Sequence, residues 1–341
     1  MLNNQQLTPA LLLLAALVPA EGAANPVVIR MATVLPKGTS YHRVLQAMGE
    51  EWRKAPNGGV ALTLFTDSTM GDEADIVRRM RVGQLQGAAL SVMGLSEIDR
   101  SVTALQYMPM MFRSLEEVDL IREKLRPRLE AALLSKGFVA LFWSDAGWIR
   151  FFSKEPALMP EDFRRFQMFA WSGDNYQVDL MKSLGYQPVP LVMGDILPGL
   201  QTGMISSIAL APFYALAGQV YGPAPYMLEL NWAPLVGAAV VSRKAWEVLP
   251  ADTRDALRAA ANRAGAEMKI RGRAEAEQSV EAMKKRGLKV QALTPAAEAA
   301  WRKIAGSVYP KIRGAMVPAE LFDQVRAWLD EQRAAGGRAA K

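Results

Sequence analysis

The sequence predicts an α/β protein whose strands are largely parallel. Three observations carry this. Short β-branched runs alternate with segments whose apolar residues recur at helical spacing, and the connections between them are short and marked by Gly and Pro. Hydrophobic residues are 50% of the 341 and charged residues 22%, too apolar for a disordered chain. A chain of this length commonly divides into two domains.

The elements follow in order. Residues 27–34 (VVIRMATV) read as a strand ended by Leu35-Pro36-Lys37-Gly38. Thr39 or Ser40 can N-cap a helix to about Lys54, with Val44, Leu45, Met48 and Trp52 on one face. Residues 60–65 (VALTLF) alternate as a second strand. Asp72 to Val82 is helical, with acids in its first turn and Arg78, Arg79 and Arg81 later, the order favoured by the helix dipole. Residues 88–92 form a third strand, 115–135 a helix, and 138–152 a long extended run. The pattern then repeats. Gln167 to Trp171 is a strand and Asn175 to Leu184 a helix closed by Gly185; Gln187 to Leu191 is a strand and Asp195 to Thr202 a helix ending at Gly203. Ile205 to Leu210 and Gly237 to Ser242 are further strands. Asp252 then caps a helix running to about Arg286, rich in Ala and paired charges. At about 1.5 Å per residue it spans roughly 50 Å, longer than one small domain, so it should cross both and tie them together. Thr294-Pro295 starts another helix. The tail 334–341 reads as frayed.

Residues 10–20 are an apolar stretch of about 11, roughly 16 Å of helix, where a membrane span needs about 20 residues. Small residues follow at Gly22-Ala23-Ala24. Residues 1–24 therefore read as a secretory signal peptide, although no Lys or Arg precedes the apolar run. No later run approaches membrane length, so the mature, secreted chain should be soluble. The net charge of +6 suggests nucleic acid at first. The bases are dispersed and many lie beside acids, as at Arg271, Arg273, Glu275 and Glu277, which marks a solvated face instead.

Composition also removes chemistry. There is no Cys, hence no thiol or disulfide, and the single histidine, His42, cannot build a metal cluster. His42 lies at the start of a helix and reads as a polar residue of a surface or domain face. No G-x-S-x-G, G-x-G-x-x-G or phosphate-loop pattern is present. Asp72, Glu73 and Asp75 are explained by their place in a helix first turn. No cofactor, metal or enzyme activity is expected.

Several stretches together resemble the extracytoplasmic solute receptors of tripartite ATP-independent periplasmic (TRAP) transporters, the DctP-like family. They are residues 28–48 (VIRMATVLPKGTSYHRVLQAM), Met70-Gly71-Asp72-Glu73 before a helix and Gly83, and Phe152 to Pro156 with Pro160 to Phe163. Leu184 to Leu191 (LGYQPVPL), Leu200 to Gly203 (LQTG) and Val241 to Pro250 (VSRKAWEVLP) complete the set. The resemblance implies a two-lobed periplasmic binding protein fold with hinge strands, a domain-spanning helix and solute held in the cleft. It implies lobe I as 25–149 and 233–250, lobe II as 150–232 and 266–333, and the long helix 251–286 spanning both. The partners implied are small and large membrane permease subunits driven by an ion gradient.

One departure bears on the ligand. Most members of this family bind organic acids through one arginine, and the matching position here is Phe169. A carboxylate buried against phenylalanine would be left uncompensated, whereas arginine grips it bidentately. Arg164 and Arg165 lie too early in the chain to substitute in register. The family's acid after Thr202-Gly203 is also lost, at Ser206-Ser207, and the next polar positions are Ala209-Leu210-Ala211. The expected ligand is apolar or uncharged. Phe169, Trp171, Met193, Leu210, Phe213, Tyr214 and Trp232 would make the apolar cleft, and Thr66, Ser91, Met93, Trp148 and Asn175 would add polar or aromatic contacts. Two alternatives stay open: an organic acid held by a relocated base such as Arg150, and a lipid- or sterol-carrying adaptor on the same fold.

Overall fold

Two long strands organise the molecule, β4 (Phe138–Ser153) and β8 (Tyr226–Ser242), paired antiparallel along their lengths. The computed structural model describes residues 27–339. One mixed nine-stranded sheet runs through it in the order β2-β1-β3-β8-β4-β7-β5-β6, with β9 (Lys289–Gln291) beside β8. The parallel strands β1 (Val27–Thr33), β2 (Val60–Phe65) and β3 (Gly87–Ser91) join at one end of the ribbon, where β3 pairs antiparallel with Gly237–Val241 of β8. The parallel strands β5 (Gln167–Trp171), β6 (Gln187–Leu191) and β7 (Ser207–Leu210) join at the other, where β7 pairs with Arg150–Ser153 of β4. The expectation of largely parallel pairing thus holds within each lobe and fails at the ribbon between them. There the register of β4 slips between Asp145 and Trp148, and Gly147 takes a left-handed φ of 73°.

Helices cover both faces. In the first lobe α1 (Ser40–Trp52) and α9 (Ala251–Lys284) pack on one face, burying Trp52, Leu45 and Leu257. On the other lie α2 (Glu73–Arg81), α3 (Val92–Ser96) and α4 (Leu115–Ser135). In the second lobe, one face is covered by α6 (Ile196–Thr202) and α7 (Pro212–Ala217) with the end of α9 at Val280 and Met283. The short α5 (Asn175–Ser183) follows β5, and α8 (Arg243–Glu247) follows β8. The long helix therefore crosses both lobes as expected, 34 residues or roughly 51 Å. Small residues let it lie close: a Cβ on Gly272 would fall 2.1 Å from Tyr41 Oη, and one on Gly265 would fall 2.6 Å from Phe142 Cβ.

A second crossing helix was not foreseen. Along α10 (Pro295–Ile312), Trp301 and Ala305 enter a core of the second lobe, while Val308 and Ile312 enter a core of the first. The last helix, α11 (Ala319–Ala339), buries Leu321, Val325 and Leu329 in that same first-lobe core, against α4. Assigning all of 266–333 to lobe II is corrected accordingly. The helix also continues through residue 334 to Ala339 instead of fraying there, and residues 340–341, like 1–24, the segment expected to be a signal peptide, lie outside the described residues.

Three smaller expectations change. β8 begins at Tyr226, eleven residues before Gly237. Pro250, not Asp252, is the N-cap of α9, and Asp252 accepts from Thr253 N–H at 2.8 Å and Asn57 Nδ2 at 2.9 Å. His42 is buried, with Nδ1 accepting from Gly38 N–H at 3.2 Å, because α1 packs its first turn inward. No described helix is long and apolar enough to cross a membrane.

Candidate functional site

A cavity of about 220 Å³ opens between the lobes where strands of both end. This is the carboxyl edge of β3 and β5, the usual ligand position in open α/β sheets. The first lobe supplies Ser91 from the end of β3, Met93 from α3, and Asp72 with Glu73 from the start of α2. The second supplies Phe169 and Trp171 of β5, Leu210, Tyr214 of α7 and Met193. The hinge ribbon contributes Ile149 and Phe151 from β4, and Trp232 from β8.

Eight of the twelve candidate residues therefore meet at one cavity: Ser91, Met93, Phe169, Trp171, Met193, Leu210, Tyr214 and Trp232. Four do not. Trp148 points into the first-lobe core, because the slip in β4 turns it to that face. Thr66 lies beyond β2, and its hydroxyl donates to Asp67 at 2.7 Å. Asn175 is exposed at the start of α5. Phe213 stacks on Tyr41 with centroids 4.8 Å apart, beside a separate small recess that it shares with Tyr214.

Among the described residues, no Lys or Arg lines this cavity. Phe169 is 6% exposed and meets Trp171 edge-on, with centroids 4.9 Å apart and planes at 82°. Arg150, the relocated anchor considered above, does not line the cavity. Its neighbours Ile149 and Phe151 line the cavity, while Arg150 itself is buried facing α9, its guanidinium 3.4 Å from Glu277. Arg165 stays outside and donates to Pro156 O at 2.9 Å. Arg100 lines an adjoining recess with Asp72, Tyr107 and Asp174, and lies over the Tyr176 ring at 5.2 Å.

The polar groups are acidic or neutral. Glu73 is 3% exposed and accepts from Ser91 N–H at 2.7 Å, Ser91 Oγ at 2.5 Å and Gly94 N–H at 2.8 Å. Burial pushes its carboxyl above the ordinary range, against the opposing pull of those bonds. Asp72, by contrast, is the α2 cap and accepts from Asp75 N–H at 2.9 Å. A first-turn reading thus explains Asp72 but not Glu73, whose side chain turns back under β3. Burial likewise raises Asp174 and the hydroxyl of Tyr107, and takes Tyr186 up to about 12. Tyr186 lines the cavity, and its Oη is buried without a hydrogen-bond partner among the described residues.

Sequence reasoning missed a whole wall. Leu180, Met181 and Leu184 around α5, with Trp301, Ile304 and Val308 of α10, extend the cavity beneath the second lobe. Only the apolar spacing of these helices was visible, and that signal is the same for a core as for a cavity wall.

The family model for bacterial extracellular solute-binding protein, family 7 (DctP), matches residues 31–314. The chain is 24% identical over 316 residues to the C4-dicarboxylate-binding periplasmic protein DctP of Rhodobacter capsulatus, covering 92% of this chain and 94% of that one. Among solved structures it is similar to a TRAP periplasmic solute-binding protein of Chromohalobacter salexigens with bound D-glucuronate, at TM-score 0.81 and 19% identity, covering 88% of this chain and 99% of that one. It is also similar to one from Shewanella oneidensis with bound succinate, at TM-score 0.82 and 18% identity, covering 89% and 99%.

Proposed function

We propose, from the premise that this chain belongs to the bacterial extracellular solute-binding protein family 7 (DctP), that it is the periplasmic receptor of a TRAP-type transporter for an apolar or uncharged solute. It is a binding protein, not an enzyme. It would hand its solute to small and large membrane permease subunits whose energy comes from an ion gradient.

One observation carries the ligand reading. The cavity holds two carboxylates and no cation, and Phe169 lies in its wall. The related structures carry glucuronate and succinate, both carboxylates. An acid bound here would bury its charge beside Glu73 without a counter-charge, at a cost of several kcal/mol. Ligand contacts are assigned to the eight candidate residues that line the cavity, together with Glu73, Gln106, Tyr107 and Gln177. We take lobe I as residues 27–149 and 233–250 with α11, and lobe II as 150–232 with β9 and the first part of α10.

The test is direct. Gentle purification, extraction and mass spectrometry should recover a solute lacking a carboxylate; recovery of a C4-dicarboxylate alone would sink the reading. Phe169→Arg should create acid binding, seen as a thermal shift of a few °C against an acid panel that leaves the native protein unmoved. The second reading, an acid gripped in the adjoining recess, is favoured only by Arg100. It expects Arg100→Ala to abolish a shift that the native protein already shows. A carrier that works without permeases would reveal itself by the absence of permease genes beside its own.

A further inference from the structure

Resting on the uncharged-ligand reading, we propose that the solute is elongated and hydrocarbon-rich, with one neutral hydroxyl or carbonyl end. Its chain would run from the cleft into the seam beneath α10. The first observation is the shape of the cavity. It does not stop at the interlobe cleft but continues between Leu180, Met181 and Leu184 on one side and Ile304, Val308 and Ile312 of α10 on the other. Val308 and Ile312 belong to the first-lobe core, and Trp301 to a second-lobe core, so this arm is a gap where two cores meet. The residues of α5 and α10 that line this arm are all apolar. A polyhydroxylated solute would lose hydration along it without gaining hydrogen bonds, whereas methylenes would exchange water for contact. The rings of Phe151, Trp232 and Trp301 also line the cavity as an apolar cluster, with centroids 5.1–5.6 Å apart, Phe151 stacked on Trp301 and Trp232 edge-on to both.

The second observation is the chemistry of the other end. Gln106 commits its amide oxygen to Val236 N–H at 3.0 Å, and Gln177 to Trp171 N–H at 3.2 Å. Each keeps an NH2 group for donation. With the hydroxyls of Tyr107 and Tyr214 they form a set of neutral donors in the same lining as Asp72 and Glu73. The donors satisfy a neutral oxygen, and the carboxyl groups beside them, with no cation in the lining, disfavour an anion.

The experiment measures binding of hexan-1-ol, decan-1-ol and decanoate to the purified protein by calorimetry. Decanol should bind more tightly than hexanol, by up to about fourfold per added methylene, and decanoate at least tenfold more weakly than decanol. Ile304→Trp should block the arm, weakening decanol at least tenfold while leaving hexanol within about twofold. Leu180→Trp, from the facing wall, repeats the test should the first variant fail to fold. Hexanol binding with no gain for decanol would overturn the elongated ligand and leave the uncharged reading standing. Decanoate binding as tightly as decanol would overturn the neutral end. Binding of succinate but of neither alcohol would overturn the uncharged reading itself, and the proposal with it.

Discussion

Glu73 accepts three hydrogen bonds in a place that water barely reaches. Its carboxyl is raised because burial outweighs those bonds. The sign follows: a raised acid binds its proton more tightly folded than unfolded. Its stabilising contribution is complete below the unfolded value, about 4.3, and is lost as pH rises through the folded one. Glu73→Gln removes this titration and, at every pH, one acceptor for Gly94 N–H. The variant's melting temperature relative to the native protein should therefore improve as pH rises from 4 to 8; a relative fall would show that the ionised form is the one the site favours. At this scale the sequence was half legible. The place of Phe169 in the cavity wall could be picked out from the order of motifs around it. The inward turn of Glu73 could not, because a helix first turn favours acids whether they face water or a cavity.

The contact between α9 and its neighbours is polar where it crosses the hinge. Arg273 of α9 binds Asp145 of β4 through Nε at 2.9 Å and Nη2 at 2.7 Å, and Asp119 of α4 at 3.0 and 2.8 Å. Arg122 of α4 closes the ring, 2.8 Å from Asp119 and 3.4 Å from Asp145. The Asp145 side chain is fully buried and Arg122 is 5% exposed. Removing the charge should cost about 3 kcal/mol, the lower end for a broken buried pair because Arg273 retains some solvent. Urea denaturation of Asp145→Asn checks this. Glu247→Gln is the control: Arg243 and Glu247 form an exposed pair on α8, and its loss should cost under about 0.5 kcal/mol. The sequence showed Arg271, Arg273, Glu275 and Glu277 only as a solvated face, and one of the four, Arg273, is the hinge clamp. Helical spacing gives the face but not what packs against it. β4 and α9 were legible because each is a long uninterrupted pattern. The first part of β8 was not, because Asn231, Pro234 and the Gly-Pro and Ala-Pro pairs before it interrupt the strand signal.

For the whole molecule, the lobes are joined by the β4–β8 ribbon in the sheet and by a helix on each face, α9 and α10. The cavity draws its walls from both lobes, so a ligand that satisfies both should favour the closed arrangement. Small-angle scattering is expected to show a smaller radius of gyration with solute than without. No change on saturating binding would mean that the connections hold the lobes fixed. The division into lobes followed from motif order, but the return of α10 and α11 to the first lobe did not, since amphipathic periodicity says nothing about destination.

The central ribbon also sets when the protein can fold. β3 completes its pairing only against Gly237–Val241, and the first-lobe part of β4, before Arg150, pairs only with the same strand. Until residue 242 has been made, the first lobe's sheet lacks its inner neighbour and β3 presents an open edge. Its other core face waits longer still, for α11. Nucleation must therefore bring together segments far apart in the chain, which makes folding slow and late. A nascent chain halted before β8 is an unfinished surface rather than a finished first domain, and depends on remaining unfolded until the whole of it has emerged.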